Sequence, residues 1–188
     1  AVGDGNDDGK NEVYASGYYI NDGGTDTSFT LCQFKNSGSD WIRTQIDTTG
    51  YSDEICVGDG NNDGKNELYV GSGDGNIYEY VKKGTNWTKE SIGQAPPFYH
   101  NHRWDTPEPQ GVVVGDGDND GKNEIYTATT DNHVYKFSFN DTHWVITDIG
   151  MDDFDPIIVG VAYGMTSVAL GDADNDSKTE VYSCSYIN

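Results

Sequence analysis

Basic side chains are scarce here: 11 lysines and arginines stand against 32 aspartates and glutamates, a formal charge of −21. A surface this negative repels the phosphate backbone of nucleic acids and anionic lipid headgroups, which excludes both as partners. Cysteine is sparse as well. Cys32, Cys56 and Cys184 make no disulfide framework and stand at no metal-ligand spacing. Each falls in an apolar or alternating stretch, where a small buried hydrophobe is expected, and a Cys32–Cys56 bridge is left open. No stretch approaches the roughly 18 consecutive apolar residues that a membrane helix needs, so no membrane insertion is expected. Also missing are a Gly-x-Ser-x-Gly elbow, a His-Glu-x-x-His pair and a phosphate-cradling glycine loop before a helix. The expectation is therefore a protein without catalytic residues.

What the chain has is a repeat. The run Gly3-Asp4-Gly5-Asn6-Asp7-Asp8-Gly9-Lys10-Asn11-Glu12-Val13-Tyr14 returns headed by Gly58, Gly115 and Gly171, at spacings of 55, 57 and 56 residues. Recurrence at a fixed period is the mark of one supersecondary unit stacked several times. With 34% apolar residues and 24 glycines in 188, the composition suits many short strands rather than helices.

Within each copy, carboxylate or carboxamide oxygens fall on alternate residues, followed by a turn residue and then an acid. The four sets are Asp4, Asn6, Asp8 and Glu12; Asp59, Asn61, Asp63 and Glu67; Asp116, Asp118, Asp120 and Glu124; and Asp172, Asp174, Asp176 and Glu180. Counting the first aspartate as position 1, the side-chain oxygens stand at positions 1, 3, 5 and 9. At position 7, Lys10, Lys65, Lys122 and Lys178 offer only a main-chain carbonyl. Hard oxygen ligands of this number suit calcium, which takes about six to eight, better than magnesium, which keeps an octahedron and several waters. Up to four calcium ions are expected. An Asx-rich turn without metal is the plain alternative for any one loop, but four copies in one register favour the ion. The fourth is the weakest, because Ser177 replaces the glycine of the sharp turn. The loops hold 15 of the 32 acids, so four divalent ions would bring −21 to about −13.

The flanks of the loop alternate or are β-branched and carry no helical period. In the third copy, Gly111 to Gly115 leads into the loop and Glu124 to Thr129 leaves it. His133 to Phe139 follows a turn at Asp131-Asn132, and Trp144 to Ile149 closes the unit. The second copy has Asn76 to Val81 and Trp87 to Ile92, the first Ser28 to Lys35 and Trp41 to Ile46. Four antiparallel strands in about 56 residues make a blade, and the expected fold is an all-β propeller. Blades are expected over 1–50, 51–93 and 108–150, with a partial one over 165–188, connected through 94–107 and 151–164. Trp41, Trp87 and Trp144, with Tyr14, Tyr69, Tyr126 and Tyr182, are expected to pack blade against blade.

The segment Val112 to Tyr126 resembles the FG-GAP and VCBS-type repeats of calcium-binding β-propellers, integrin α-chains included, and its four copies extend the likeness over the whole chain. The Phe-Gly and Gly-Ala-Pro marks of the family name are absent. The resemblance implies an extracellular ring of about seven or eight blades, with calcium bracing the first hairpin of each and ligands bound on one face. Propeller-type rhamnogalacturonan lyases carry similar loops, which keeps a calcium-dependent polysaccharide lyase as an alternative function. Three blades and half of a fourth leave the ring incomplete or assembled from copies, and a segment of a longer polypeptide is the favoured expectation.

Recognition chemistry concentrates in the connection from Gln94 to Gln110. Phe98, Tyr99, His100, His102, Arg103 and Trp104 supply stacking faces, a bidentate donor and switchable donors for a glycan or protein ligand. The alternative there is a proline-stiffened loop folded over its neighbouring blade. The second long connection, Met151 to Thr166, is mostly apolar and reads as buried packing or a contact with further copies of the chain. Sequons at Asn86 and Asn140 are candidate glycosylation sites; a third, at Asn175, lies inside a loop. Calcium loops of modest affinity fill where calcium is millimolar, so the expected place is outside the cell or on its surface. Adhesion, assembly or recognition is the expected role, with a subunit of an extracellular filament or surface layer as a further alternative.

Overall fold

The computed structural model describes residues 1–20, 27–48, 52–100, 103–151 and 163–187. It is all-β: no helix occurs among the described residues. The first sheet consists of β1 (Val2–Gly3), β2 (Glu12–Ile20), β3 (Thr27–Asn36) and β4 (Trp41–Asp47), antiparallel and in chain order. The second repeats this with β5 (Ser52–Gly58), β6 (Glu67–Ser72), β7 (Asn76–Lys83) and β8 (Asn86–Gln94). Next comes a short ribbon of β9 (Phe98–His100) and β10 (Arg103–Asp105). The third sheet contains β11 (Pro109–Gly115), β12 (Glu124–Thr129), β13 (His133–Phe139) and β14 (Trp144–Met151). A pair, β15 (Tyr163–Gly171) and β16 (Glu180–Ile187), ends the described chain.

The meander follows from local chemistry. Every residue of β6 and β12 is buried, as expected of a strand covered on both faces. The outer strand β14, by contrast, is mostly exposed. Tight turns place Gly75 (φ 85°) and Asn132 (φ 70°) in the left-handed region, which glycine and asparagine tolerate best. Register shifts recur at equivalent places, at Leu31/Cys32, Ile77/Tyr78 and Val134/Tyr135. Bulges there increase the twist that face-to-face stacking requires.

Consecutive sheets pack face to face, and alternation sends each strand's side chains to two different neighbours. Leu68 and Val70 of β6 join Tyr14, Leu31 and Tyr80 between the first and second sheets. Tyr69 points the other way and joins Cys56, Ile77, Ile125 and Phe137 between the second and third. Tyr126, Ala128, Val134 and Val168 fill the space between the third sheet and β15–β16. Burying each large apolar side chain contributes about 1.5–3 kcal/mol. Trp87 meets Tyr14 edge-on at 6.2 Å between centroids, and Trp144 meets Tyr69 at 6.0 Å. The expected aromatic packing between units therefore holds for those two pairs. Trp41 (56% exposed) and Tyr182 (41%) depart from it, because each lies on a face that no other sheet covers among the described residues.

The glycine ahead of each of the first three acidic loops receives a side chain from the next sheet. A Cβ built on Gly3 would lie 2.7 Å from Val57 Cγ1, one on Gly58 2.4 Å from Val114 Cγ1, and one on Gly115 2.8 Å from Leu170 Cδ1. Gly58→Val is therefore expected to destabilise the protein by about 1–3 kcal/mol through overpacking, seen as a lower melting temperature by circular dichroism.

Cys32 and Cys56 are buried and unbridged, which settles that pairing. Cys184 departs from the expectation of burial: it is exposed on β16, whose residues Tyr182 to Ser185 all face solvent. The connection 152–162 and the residues Asn101 and His102 lie outside the described residues, so the reading of Met151 to Thr166 as buried packing falls there almost entirely.

Candidate metal centres

The four acidic loops join the first and second strands of the four sheets, and they share one hydrogen-bond pattern. In the first, the Asp8 amide donates to Asp4 Oδ1 (3.0 Å) and Asn6 Oδ1 (3.1 Å), the Gly9 amide to Asp4 Oδ2 (2.8 Å), and the Lys10 amide to Asp8 Oδ1 (3.1 Å). The same donors meet the same acceptors around Asp59, Asn61 and Asp63, around Asp116, Asp118 and Asp120, and around Asp172, Asp174 and Asp176. The backbone turns through the left-handed region twice in each loop. Asp7, Asn62, Asn119 and Asn175 do so first (φ 54–61°), then Gly9, Gly64, Gly121 and Ser177 (φ 71–89°). Ser177 thus holds the conformation of the glycines it replaces, a strain of about 1 kcal/mol for a residue with a Cβ.

This folding of the loop turns the alternate oxygens toward one point. Carboxylate oxygens of Asp4, Asp8 and Glu12 lie within 4.8 Å of one another, as do those of Asp116, Asp118 and Glu124, and those of Asp172, Asp174, Asp176 and Glu180. All are hard oxygen donors of the kind calcium takes. The second loop is arranged differently. Asn61 donates its amide to Glu79 Oε1 on β7 at 3.2 Å, so the acid on the neighbouring strand, rather than Glu67, is joined to position 3. Two lysines also enter. Lys35 Nζ lies 2.6 Å from Asp8 Oδ2 and 3.7 Å from Glu12 Oε1, and Lys136 Nζ lies 2.6 Å from Asp118 Oδ2. Asp8 is held below the usual carboxylate range chiefly by its bond from Lys35, and both ammonium groups are raised by these carboxylates. The Lys10 charge adds a little to the lowering of Asp8, and Lys178 Nζ approaches Asp176 Oδ2 at 3.9 Å.

Three contributions were not legible from ligand spacing alone. The acid at position 9 is buried in the first three loops and accepts a bond from the tyrosine two residues on: Tyr14 to Glu12 at 3.0 Å, Tyr69 to Glu67 at 3.1 Å, Tyr126 to Glu124 at 2.9 Å, and Tyr182 to Glu180 at 2.8 Å in the exposed fourth. Side chains two apart share a strand face, so the Glu-x-Tyr spacing carried this signal. Burial pushes the Glu67 carboxyl up to about 8, and burial likewise raises Glu79 and Glu124.

The second contribution is a ladder between loops. Asn66 donates its backbone amide to Asp7 Oδ1 (3.0 Å) and its side-chain amide to the Asp4 carbonyl (3.0 Å). Asn62 and Asn123 exchange bonds of 2.8 and 2.9 Å, with a further one of 2.9 Å from Asn123 to the Asp59 carbonyl. Asn119 and Thr179 continue the series at 2.9 and 2.8 Å. The third contribution is Glu79 itself.

At the opposite end of the sheets stand the β6–β7 turn and the β8–β11 connection, because antiparallel strands return the chain there. A Cβ on Gly75 would meet Thr106 and Pro107, which places that connection against the turn. The expected loop is a hairpin pairing Trp104 with Tyr99 and Arg103 with His100. Tyr99 (60% exposed) and Trp104 (71%) lie 5.4 Å apart between centroids. Phe98 is half-buried, and His102 is outside the described residues. Asn86 and Asn140 are exposed at strand ends on the side of the acidic loops.

No known family profile matches this chain, and no curated protein matches it either.

Proposed function

We propose that the chain is part of a calcium-braced β-propeller that works outside the cell as a recognition or adhesion scaffold without catalysis. The observation that carries this is the fourfold return of one oxygen-rich loop with one hydrogen-bond pattern, each time at the joint between a sheet's first two strands. Asp4, Asn6, Asp8 and Glu12, with the Lys10 carbonyl, would hold the first ion, and the equivalent residues the others. A bound divalent cation offsets the mutual repulsion of these carboxylates and ties β1 to β2, β5 to β6, β11 to β12 and β15 to β16.

Recognition belongs to the other end. Tyr99 and Trp104 form an exposed aromatic pair on a short ribbon, an arrangement suited to stacking on a sugar ring or an apolar peptide side chain. Loops that brace one end leave the opposite end to vary, as the β8–β11 connection does.

Calorimetric titration of the chelated protein with calcium tests the metal reading. Saturable binding of up to four ions is expected, and Asp116→Ala removes one of them. A flat titration at millimolar calcium would overturn it.

A further inference from the structure

Between the second and third sheets, on the side of the acidic loops, lies a cleft of about 320 Å3. Glu79, Glu90 and Ser91 line it from β7 and β8, and Phe139, His143 and Trp144 from the hairpin of β13 and β14. That volume suits a small organic molecule better than a bare ion.

Two features set this cleft apart from the rest of the repeat. Glu79 and Glu90 stand directly opposite each other on β7 and β8. Like charges so placed destabilise a sheet, and the repeat does not require them. The same pair of positions holds Gln33 and Thr44 in the first sheet and Lys136 and Thr147 in the third. Neither acid has a basic partner among the described residues. Glu79 accepts bonds only from neutral donors, Asn61 Nδ2 (3.2 Å) and the Tyr69 hydroxyl (3.1 Å), both at Oε1. Glu90 is exposed and makes no hydrogen bond or ion pair among these residues. The adjoining Lys89 points to Asp47 and the Tyr78 ring instead.

The second feature is a cation exchanged for a ring. Where the first and second sheets meet, Lys82 pairs with Trp87 across β7 and β8 and lays its ammonium over that tryptophan, 5.1 Å from the ring centroid. The Thr85 carbonyl accepts a bond from it at 2.9 Å. Trp144 is the equivalent ring between the second and third sheets, and the residue paired with it is Phe139. The junction that holds two acids therefore has an apolar ring where the junction without them has its own ammonium. We propose that this cleft binds a small organic cation, an ammonium or guanidinium group on a short apolar stem. Its charge lies between Glu79 and Glu90 and its stem against Phe139 and Trp144. A planar guanidinium satisfies two carboxylates at once and stacks on aromatic faces, so it is preferred over a compact ammonium. A free cation and an arginine side chain of a peptide both offer this chemistry.

Titration of the whole chain with n-butylguanidinium, followed by proton–nitrogen NMR, tests the proposal. Salt of about 0.15 M screens the general attraction of cations to a chain of charge −21. With so few contacts a Kd of about 1 mM is expected, with saturable shifts at the Trp144 indole and the Ser91 amide. Glu90→Gln is expected to weaken binding about tenfold. It keeps its fold, because Glu90 is exposed and its loss relieves repulsion, and a melting temperature no lower than that of the wild type verifies this. Glu108→Gln, which removes an exposed charge outside the cleft, leaves binding unchanged. The neutral isostere n-butylurea is expected not to bind. Acetyl-Ala-Arg-Ala-amide separates the sources: tighter binding than the free probe assigns the cleft to a peptide side chain, and equal or weaker binding to a free cation. Absence of a saturable shift at Trp144, equal losses in Glu90→Gln and Glu108→Gln, or n-butylurea binding as tightly as the cation would each overturn the proposal. So would a calcium stoichiometry that falls by one in Glu90→Gln, since the cleft would then be a metal site. The titrations are made in saturating calcium and in chelator, and calcium binding lost in Asp116→Ala stands whatever the probe does.

Discussion

Chelation is expected to lower the melting temperature by about 10–20 °C. At a free calcium concentration about ten times the dissociation constant, each occupied loop stabilises the folded state by about 1.4 kcal/mol. Four loops together therefore contribute about 5.6 kcal/mol, and for a domain of this size each kcal/mol moves the midpoint by about 2–4 °C. The loops sit where such a loss propagates. Asp4, Asp59 and Asp116 each fix two amides of their own loop, while the Asn66, Asn123 and Thr179 bonds tie each loop to its neighbour. Loosening one loop thus withdraws partners from the next, and the chelated protein is expected to melt over a broader range as well as earlier. Differential scanning calorimetry before and after EDTA, with calcium restored at the end, provides the measurement. An identical transition throughout would mean that the carboxylates need no cation.

The strands were legible because their pattern is local. Alternation in His133 to Phe139, the Asp131-Asn132 turn and the tryptophan at each outer strand follow from side-chain period and turn chemistry, and the observed β13 and β14 begin where expected. The loop oxygens were legible for the same reason, since alternate residues in a tight turn face one point. Interactions between units were not. Asn66 reaches Asp7 across 59 residues and Asn123 reaches Asn62 across 61, and no local pattern shows which copy faces which. The eighth loop position is Asn11, Asn66 and Asn123, then Thr179 in the fourth copy, and turn chemistry alone accounts for such residues there. Glu79 was hidden for a further reason. Its equivalents opposite the loop tyrosine are Gln33 and Lys136, so the repeat shows nothing acidic there, and only the pairing of Tyr69 with Glu79 brings that side chain to the second loop.

The varied occupants of that place make the loops unequal. Lys136 supplies a positive charge to Asp118 in the third unit, Gln33 donates to Glu12 and the Tyr14 hydroxyl in the first, and Glu79 adds a carboxylate in the second. A lysine on a loop carboxylate competes with an ion, and an additional acid recruits one. The second loop is consequently the one to which a neighbouring strand adds a carboxylate, where the first and third receive a lysine.

Once chelated, the protein is therefore expected to melt higher at pH 5 than at pH 8, against the usual direction for carboxylates held in ion pairs. Burial raises Glu67 from 4.5 to about 8, with Glu79, Asp63 and Asp59 adding repulsion. Below about 4.5 both folded and unfolded chains keep this proton, so the group favours neither. As pH rises from there to about 8, the unfolded chain releases the proton that the folded chain retains, and stability falls; above 8 both are ionised and the loss is complete. Each pH unit of such a mismatch is worth about 1.4 kcal/mol. With roughly half of the shift realised after local relaxation, the loss across the window is about 2 kcal/mol, or about 4–8 °C. Glu79 and Glu124, raised by burial, act in the same direction. Asp8 has the opposite sign, but its lowered value places its loss beneath the window. Calcium at the second loop would hold Glu67 ionised, so the slope should flatten or reverse in saturating calcium. Ion binding near neutral pH should then release protons, read as a buffer-dependent enthalpy. Glu67→Gln removes the ionisable group and should flatten the chelated profile, whereas a chelated wild type more stable at pH 8 than at pH 5 would contradict a protonated buried acid there.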